Sequence, residues 1–262
     1  MIDDLIVASN SETAVAELKQ RIQERFQVKI LGPLQCFLSI QVIRDRPNQT
    51  IWLKQNLAIS DTLSEFNMSD CHPVRTPELT DIRLHSGMCP QTDAERSQMA
   101  LKPYRAAVGK LIYLATKTRP DIAHAVQQVA QFCENPGQQH WDAIKRIFAY
   151  LKGTLDHGLE FSGNSNPLQA YFNKGPTNCP VAAMFSDSDW ANDLDKRKSV
   201  GGYVFMLHGG TVDYNSKKLT NTPLSSTEAE WYAACEAAKH GKWLRNLLFE
   251  IGFPMQSPLI IF

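Results

Sequence analysis

Three acidic stretches hold the residues best suited to chemistry. The run MIDDL sets two adjacent carboxylates, Asp3 and Asp4, among apolar neighbours; FSDSDWAND carries Asp187 at the end of an apolar stretch; LSSTEAEW carries Glu228 just after a run of hydroxyl residues. Carboxylates gathered in one pocket supply the oxygen ligands that Mg²⁺ takes, and Mg²⁺ keeps water for attack on a phosphodiester. Each acid also has a plainer reading. Asp3 and Asp4 suit the tip of a hairpin, where like charges repel unless a cation lies between them. Ser225-Ser226-Thr227-Glu228 has the spacing of a capping box, in which the glutamate satisfies a backbone donor. Asp187 or its neighbour Asp189 also fits a loop acid. Spacing alone leaves these alternatives open.

The elements that must position these acids can be read from periodicity. After the MIDDL hairpin, NSETAVAELKQRIQERF has Asn10 or Ser11 as a cap and Val15, Leu18, Ile22 and Phe26 on one helical stripe. CFLSIQVIRDRPNQTIWLKQ alternates on either side of Pro47 and Asn48, the pattern of a second hairpin, and QNLAISDTLSEFNM returns to helical spacing. From about Ser69 to about Ala100 the pattern dissolves into a linker. Three helical stretches follow, YRAAVGKLIYLATK, RPDIAHAVQQVAQFCEN and QQHWDAIKRIFAYLKGT, and they form a bundle. A Pro/Gly/Asn-rich segment over 163–179 is a second linker. Beyond it VAAMFSDSDW, SVGGYVFMLHG and TVDYNSKK read as strands in a meander, SSTEAEWYAACEAAKHGKWLRNLLFEIG as a helix, and PLIIF as the start of a fourth strand. This α+β order lets the helix cover one sheet face and bring its first turn near a strand end.

Composition narrows the classes without naming one. Lys plus Arg and Asp plus Glu both number 27, so any surface for nucleic acid must come from local segregation of charge, and 43% hydrophobic residues suffice for two cores. The basic clusters are Lys145 with Arg146, Lys152, Lys196-Arg197-Lys198, and Lys217 with Lys218. Each suits phosphate contacts or, equally, a solvated face. Six cysteines without a CxxC pair argue against a disulfide framework. Cys71, His72, His85 and Cys89 are a poor zinc set, because adjacent Cys71 and His72 do not easily turn to one ion. No apolar run of about 18 residues and no basic-then-apolar leader is present, so the expectation is a soluble, intracellular protein.

The stretches YRAAVGKLIYLATKTRPDIAHAVQQVAQF, HWDAIKRIFAYLKGTLDHGL, SDSDWANDLDKRKSVGGYVFML and LSSTEAEWYAACEAAK, in that order, resemble the Pol polyprotein of copia-type LTR retrotransposons. The resemblance implies an α+β fold: a reverse transcriptase palm remnant over 1–80, a linker and thumb-like helical bundle over 81–162, a linker over 163–179, and an RNase H-like mixed sheet with a covering helix over 180–262. It makes Asp3 and Asp4 polymerase carboxylates and Asp187 and Glu228 metal-binding acids of the RNase H part, with Mg²⁺ or Mn²⁺ as cofactor and no small-molecule cofactor. The family's remaining acids fall before MIDDL and after PLIIF, so the chain is expected to be truncated at both ends and poor in ligands. The implied partners are an RNA/DNA hybrid, a template-primer and the rest of the polyprotein, with no membrane, in a cytoplasmic virus-like particle or the nucleus. Two readings follow: a fragment of an RNA-directed DNA polymerase with ribonuclease H, or a non-catalytic relic that binds nucleic acid or serves as a structural module.

Overall fold

The computed structural model describes residues 4–79, 81–163, 182–255 and 258–262. In chain order the elements are α1 (Glu12–Gln23), β1 (Cys36–Phe37), β2 (Ile40–Asp45), β3 (Thr50–Lys54), α2 (Asn56–Glu65), α3 (Asp93–Ala100), α4 (Tyr104–Lys117), α5 (Ala123–Ala130), α6 (Gln138–Gly153), β4 (Gly158–Ser162), β5 (Ala182–Asp189), β6 (Val200–Leu207), β7 (Gly210–Lys218), α7 (Ser226–Glu250) and β8 (Ile260–Ile261). They make a mixed α/β architecture with two sheets and surrounding helices.

The first sheet is antiparallel, in the order β1-β2-β3-β4. Its β2–β3 hairpin turns at Pro47 and Asn48, where the Asn48 amide donates to Asp45 Oδ1 at 3.2 Å and fixes the turn locally. The second sheet runs β7-β6-β5-β8. Its first three strands form an antiparallel meander, and β8 lies parallel to β5, pairing Ala183 with Ile260 and Met184 with Ile261. Parallel pairing needs a long crossover, and α7 supplies it. A stripe of Ala229, Ala233, Ala237 and Gly241 lets α7 press close to the sheet: a Cβ on Gly241 would come within 2.5 Å of Leu259 Cδ2.

Two cores hold these layers. Leu111, Leu114, Val126, Val129, Ile144, Phe148 and Leu151 are buried at the centre of the bundle α4–α6, and Ile59 and Leu63 of α2 join them. Ala182, Met184, Tyr203 and Phe205 of the second sheet meet Ala237 and Leu244 of α7. Between the two, β4 meets β7: the Ser162 amide donates to the His208 carbonyl at 3.0 Å, and a Cβ on Gly210 would lie 2.4 Å from Phe161 Cδ1. The Tyr214 hydroxyl also donates to the Ala115 carbonyl at the end of α4, at 2.5 Å.

Several local expectations change. The stretch to Ala100 is not a featureless linker, since Asp93–Ala100 is helical and opens with a capping box between Thr92 and Glu95. The missed signal was Thr-x-x-Glu, present without the apolar periodicity that normally accompanies it. Gly158–Ser162 forms a strand, and its alternation of Leu159 and Phe161 with polar residues carried the hint. Leu5, Ile6 and Val7 form no strand, so the described side of the proposed MIDDL hairpin is absent; Met1, Ile2 and Asp3 lie outside the described residues. The 163–179 linker, apart from Gly163, also lies outside them. Val15, Leu18 and Ile22 of the expected stripe are helical and Phe26 lies past the end of α1, and none of the four is buried. No helix among the described residues is long and apolar enough to cross a membrane.

Candidate functional site

The carboxyl end of β5 and the amino end of α7 meet. The Trp190 indole N–H, just past β5, donates to the Pro223 carbonyl, just before α7, at 3.1 Å. This places Asp187, opposite Gly202 in the β5–β6 register, and Glu228, in the first turn of α7, at the same end of the second sheet.

The side chains themselves are engaged elsewhere. Ser225 caps α7, its hydroxyl accepting from the Glu228 amide at 3.2 Å, while Glu228 Oε2 accepts from the Leu224 amide at 2.7 Å. Glu228 thus follows the capping alternative, one residue beyond the standard box, and its charge complements the positive end of the helix. Asp187 is exposed, and its Oδ1 accepts from the adjacent Ser188 amide at 2.8 Å. Among the described residues no group of three or more His, Cys, Asp or Glu is placed to hold a metal ion. Two carboxylates, one of them committed to a cap, do not fit a Mg²⁺ or Mn²⁺ centre in this arrangement. Asp4 is exposed on a stretch without strand pairing, and Asp3 lies outside the described residues.

The basic residues divide by partner. Lys145 pairs with Asp142 at 2.7 Å, Lys217 with Glu236 at 3.1 Å, and Lys218 with Asp193, whose side chain is almost fully buried. Arg146 donates to Thr76 Oγ1 at 2.8 Å. The three lysines are balanced by these carboxylates, whereas Arg146 is held by a neutral hydroxyl and keeps its charge. Lys152, Lys196, Arg197 and Lys198 take part in no ion pair among the described residues, and Lys196 and Arg197 are exposed in the loop that follows β5. That loop is anchored from outside, since the Asp195 carboxylate accepts from the Ser86 amide and hydroxyl.

Two titratable clusters escaped sequence reasoning. His124 of α5 donates its Nδ1–H to the Glu78 carboxylate at 2.9 Å; that hydrogen bond raises its pKa against the opposing effect of burial, and the charges of Glu78 and Asp189 add to the rise. Asp213 of β7 joins His240 of α7 at 3.1 Å and the Tyr203 hydroxyl at 3.3 Å, tying the covering helix to the sheet. Burial, with the charge of Asp213, pushes the Tyr203 phenol well above its ordinary pKa. Their only sequence signal was an acid or imidazole within otherwise apolar stretches.

A family profile described as "Reverse transcriptase (RNA-dependent DNA polymerase)" matches residues 1–80. The chain is 39% identical over 99% of its length to "Retrovirus-related Pol polyprotein from transposon TNT 1-94" of Nicotiana tabacum, and 34% identical over its whole length to the corresponding polyprotein from transposon RE2 of Arabidopsis thaliana. It belongs to the copia-type retrotransposon Pol family. It spans 18% and 16% of those two polyproteins. The Arabidopsis thaliana protein "Uncharacterized mitochondrial protein AtMg00810" is nearer in size, 32% identical over 92% of this chain and 91% of its own length. No solved structure matches. In this Pol family member, the profile match takes in α1, the strands β1–β3 and α2, while the similarity to the long polyproteins continues across the bundle and the second sheet.

Proposed function

We propose that this chain acts as a nucleic-acid-binding and structural segment of Pol, related to RNA-directed DNA polymerase with ribonuclease H, and performs no phosphodiester chemistry as it stands. The observation that carries the reading is the Glu228 carboxylate held on the Leu224 amide at 2.7 Å, at the same end of the sheet as Asp187, with no group of three or more metal-ligating side chains among the described residues. What remains at that end of the sheet is a cationic loop: Lys196 and Arg197 would neutralise phosphates of an RNA/DNA hybrid, with affinity that falls as salt rises. The bundle 103–153 would serve as a thumb-like support, its buried core keeping the β5–β6 loop in place through Ser86 and Asp195.

A second reading has its own observation. The order β7-β6-β5-β8, with Asp187 near the carboxyl end of β5 and a glutamate opening the crossover helix, supports a ribonuclease H that cuts the RNA strand once further acids join it. The two readings separate in one experiment. With a labelled RNA/DNA hybrid and Mg²⁺, the chain is expected to retain the hybrid in a mobility-shift assay and to leave the RNA strand intact. Mg²⁺-dependent cleavage that disappears on Asp187→Asn would overturn the first reading in favour of the second.

A further inference from the structure

Away from the β5–α7 end, a cleft of about 420 Å³ opens between one face of the first sheet and the turn Thr118–Asp121. That volume falls in the range of small-ligand sites. One wall is rigid and electrically satisfied. Arg119, with only 1% of its side chain exposed, donates to both Asp121 oxygens and to the carbonyl and hydroxyl of Thr154, and the Tyr150 hydroxyl donates to Asp121 as well. These charges are committed to each other and shape the wall.

The floor differs. Trp52 and Glu160 stand directly opposite each other in the β3–β4 register, and Lys54 follows Trp52 on the same face, about 7 Å along the strand. Opposite Lys54 is Gly158, where a Cβ would come within 2.8 Å of Lys54 Cγ, so the absence of a side chain keeps the floor open. Neither the Lys54 ammonium nor the Glu160 carboxylate takes part in an ion pair among the described residues. The cleft therefore offers a half-buried indole, the Lys54 ammonium and the Glu160 carboxylate in fixed order, and it is lined as well by His157 and by Asp156, whose Oδ1 accepts from the Asn56 side-chain amide at 3.2 Å.

We infer that this cleft binds a ribonucleotide. The base stacks on Trp52, the phosphate meets Lys54, and the ribose hydroxyls donate to Glu160. Stacking on an aromatic side chain is tolerant of base identity, and a carboxylate is the natural acceptor for paired sugar hydroxyls. A simple anion would leave the indole and Glu160 unused; a simple cation would meet Lys54. The site shares no residue with the Asp187–Glu228 end and does not depend on the function proposed for that end. The same chemistry is presented by a free mononucleotide and by an unpaired residue of an RNA strand.

Isothermal titration calorimetry of the whole chain with adenosine 5′-monophosphate, its 2′-deoxy analogue and a single-stranded hexaadenylate tests the assignment. Saturable binding of the ribonucleotide is expected, with the deoxy analogue about tenfold weaker, as loss of a hydrogen bond to a charged group implies. Glu160→Ala should erase that ribose preference, and Lys54→Gln should weaken binding and flatten its salt dependence. Equal affinity for the two ribo-ligands supports a free nucleotide as occupant, and at least tenfold tighter binding of hexaadenylate supports an RNA residue. Absence of saturable binding by both, or unchanged binding in Trp52→Leu, Lys54→Gln and Glu160→Ala proteins that melt normally, overturns the inference.

Discussion

Asp195 holds Ser86 from across the molecule: its carboxylate accepts the Ser86 amide at 2.9 Å and the Ser86 hydroxyl at 2.6 Å. The contact fastens the segment before α3 to the β5–β6 loop that carries Lys196 and Arg197. The Ser86 hydroxyl bond lowers the Asp195 pKa against the modest opposing effect of burial, and the Ser86 amide, His85 and Lys218 lower it further. Asp195→Ala should raise amide hydrogen exchange across 83–90 and 191–198 while leaving the bundle core protected; unchanged exchange in both loops would refute the role of this clasp.

Removing the two exposed cations of that loop, Lys196 and Arg197, should cost binding without costing the fold. Lys196→Ala with Arg197→Ala is expected to weaken hybrid retention and reduce the slope of log affinity against log salt by about two contacts' worth. Lys145→Ala, whose charge is balanced by Asp142, should leave the slope as it was.

The cap of α7 predicts a stability effect for a residue that its family resemblance marks as a metal ligand. Ser225→Ala and Glu228→Ala should each cost about 1 kcal/mol in urea unfolding, with or without Mg²⁺. A Glu228→Ala protein that is more stable than the parent would indicate a strained, unpaired carboxylate instead.

Arg119 is buried and pairs with Asp121, whose side chain stays 31% exposed, so removing Arg119 leaves a carboxylate that water can still reach while its hydrogen bonds are lost. Burial alone would raise the Asp121 pKa, but the Arg119 hydrogen bonds and charge, aided by Tyr150, hold it below the ordinary carboxylate value. Arg119→Met should cost about 1–3 kcal/mol, chiefly from its lost charged hydrogen bonds. Because the folded pKa is depressed, the contribution of Asp121 is present above its unfolded value and lost as pH falls through the folded one, so acid unfolding of the Arg119→Met protein should lose that component.

Two histidines should shape stability near neutral pH in opposite senses. Burial lowers the His140 pKa, the His85 carbonyl opposing, so below about 6.5 the unfolded chain takes up a proton that folded His140 resists, and stability falls as pH drops. His124 is raised by Glu78; its contribution is full below the unfolded value and is lost as pH rises through the folded one. Urea titrations from pH 5 to 8 should show His140→Gln flattening the acid side and His124→Gln the neutral-to-alkaline side. Identical profiles for all three proteins would contradict both assignments.

Periodicity made the long elements legible. Leu111, Leu114, Val126, Val129, Ile144, Phe148 and Leu151 fall at helical spacing and are all buried, because the bundle is stabilised by the same local pattern that forms its helices. The meander and crossover helix of the second sheet were readable for the same reason. What stayed hidden depended on distance in sequence. Nothing near Gly158–Ser162 shows that its partner is β3, and nothing near Glu228 decides between a neighbouring amide and a remote ion. Spacing gave both alternatives for Glu228; the Leu224 contact at 2.7 Å chose one. The buried Arg119 was likewise invisible, since arginine in a turn normally faces water.

The return of the chain to its first sheet has a consequence for biogenesis. Between β3, ending at Lys54, and its partner β4, starting at Gly158, roughly a hundred residues intervene, and the whole bundle lies in that interval. During synthesis the helices can collapse on one another as soon as they emerge, since their contacts are local, whereas β3 must wait as an open edge presenting Ile51 and Leu53 beside unpaired backbone groups. A nascent chain paused before Gly158 would thus be the species most prone to strand exchange with a neighbour, and chaperone demand should peak there and fall once Ser162 has cleared the ribosome.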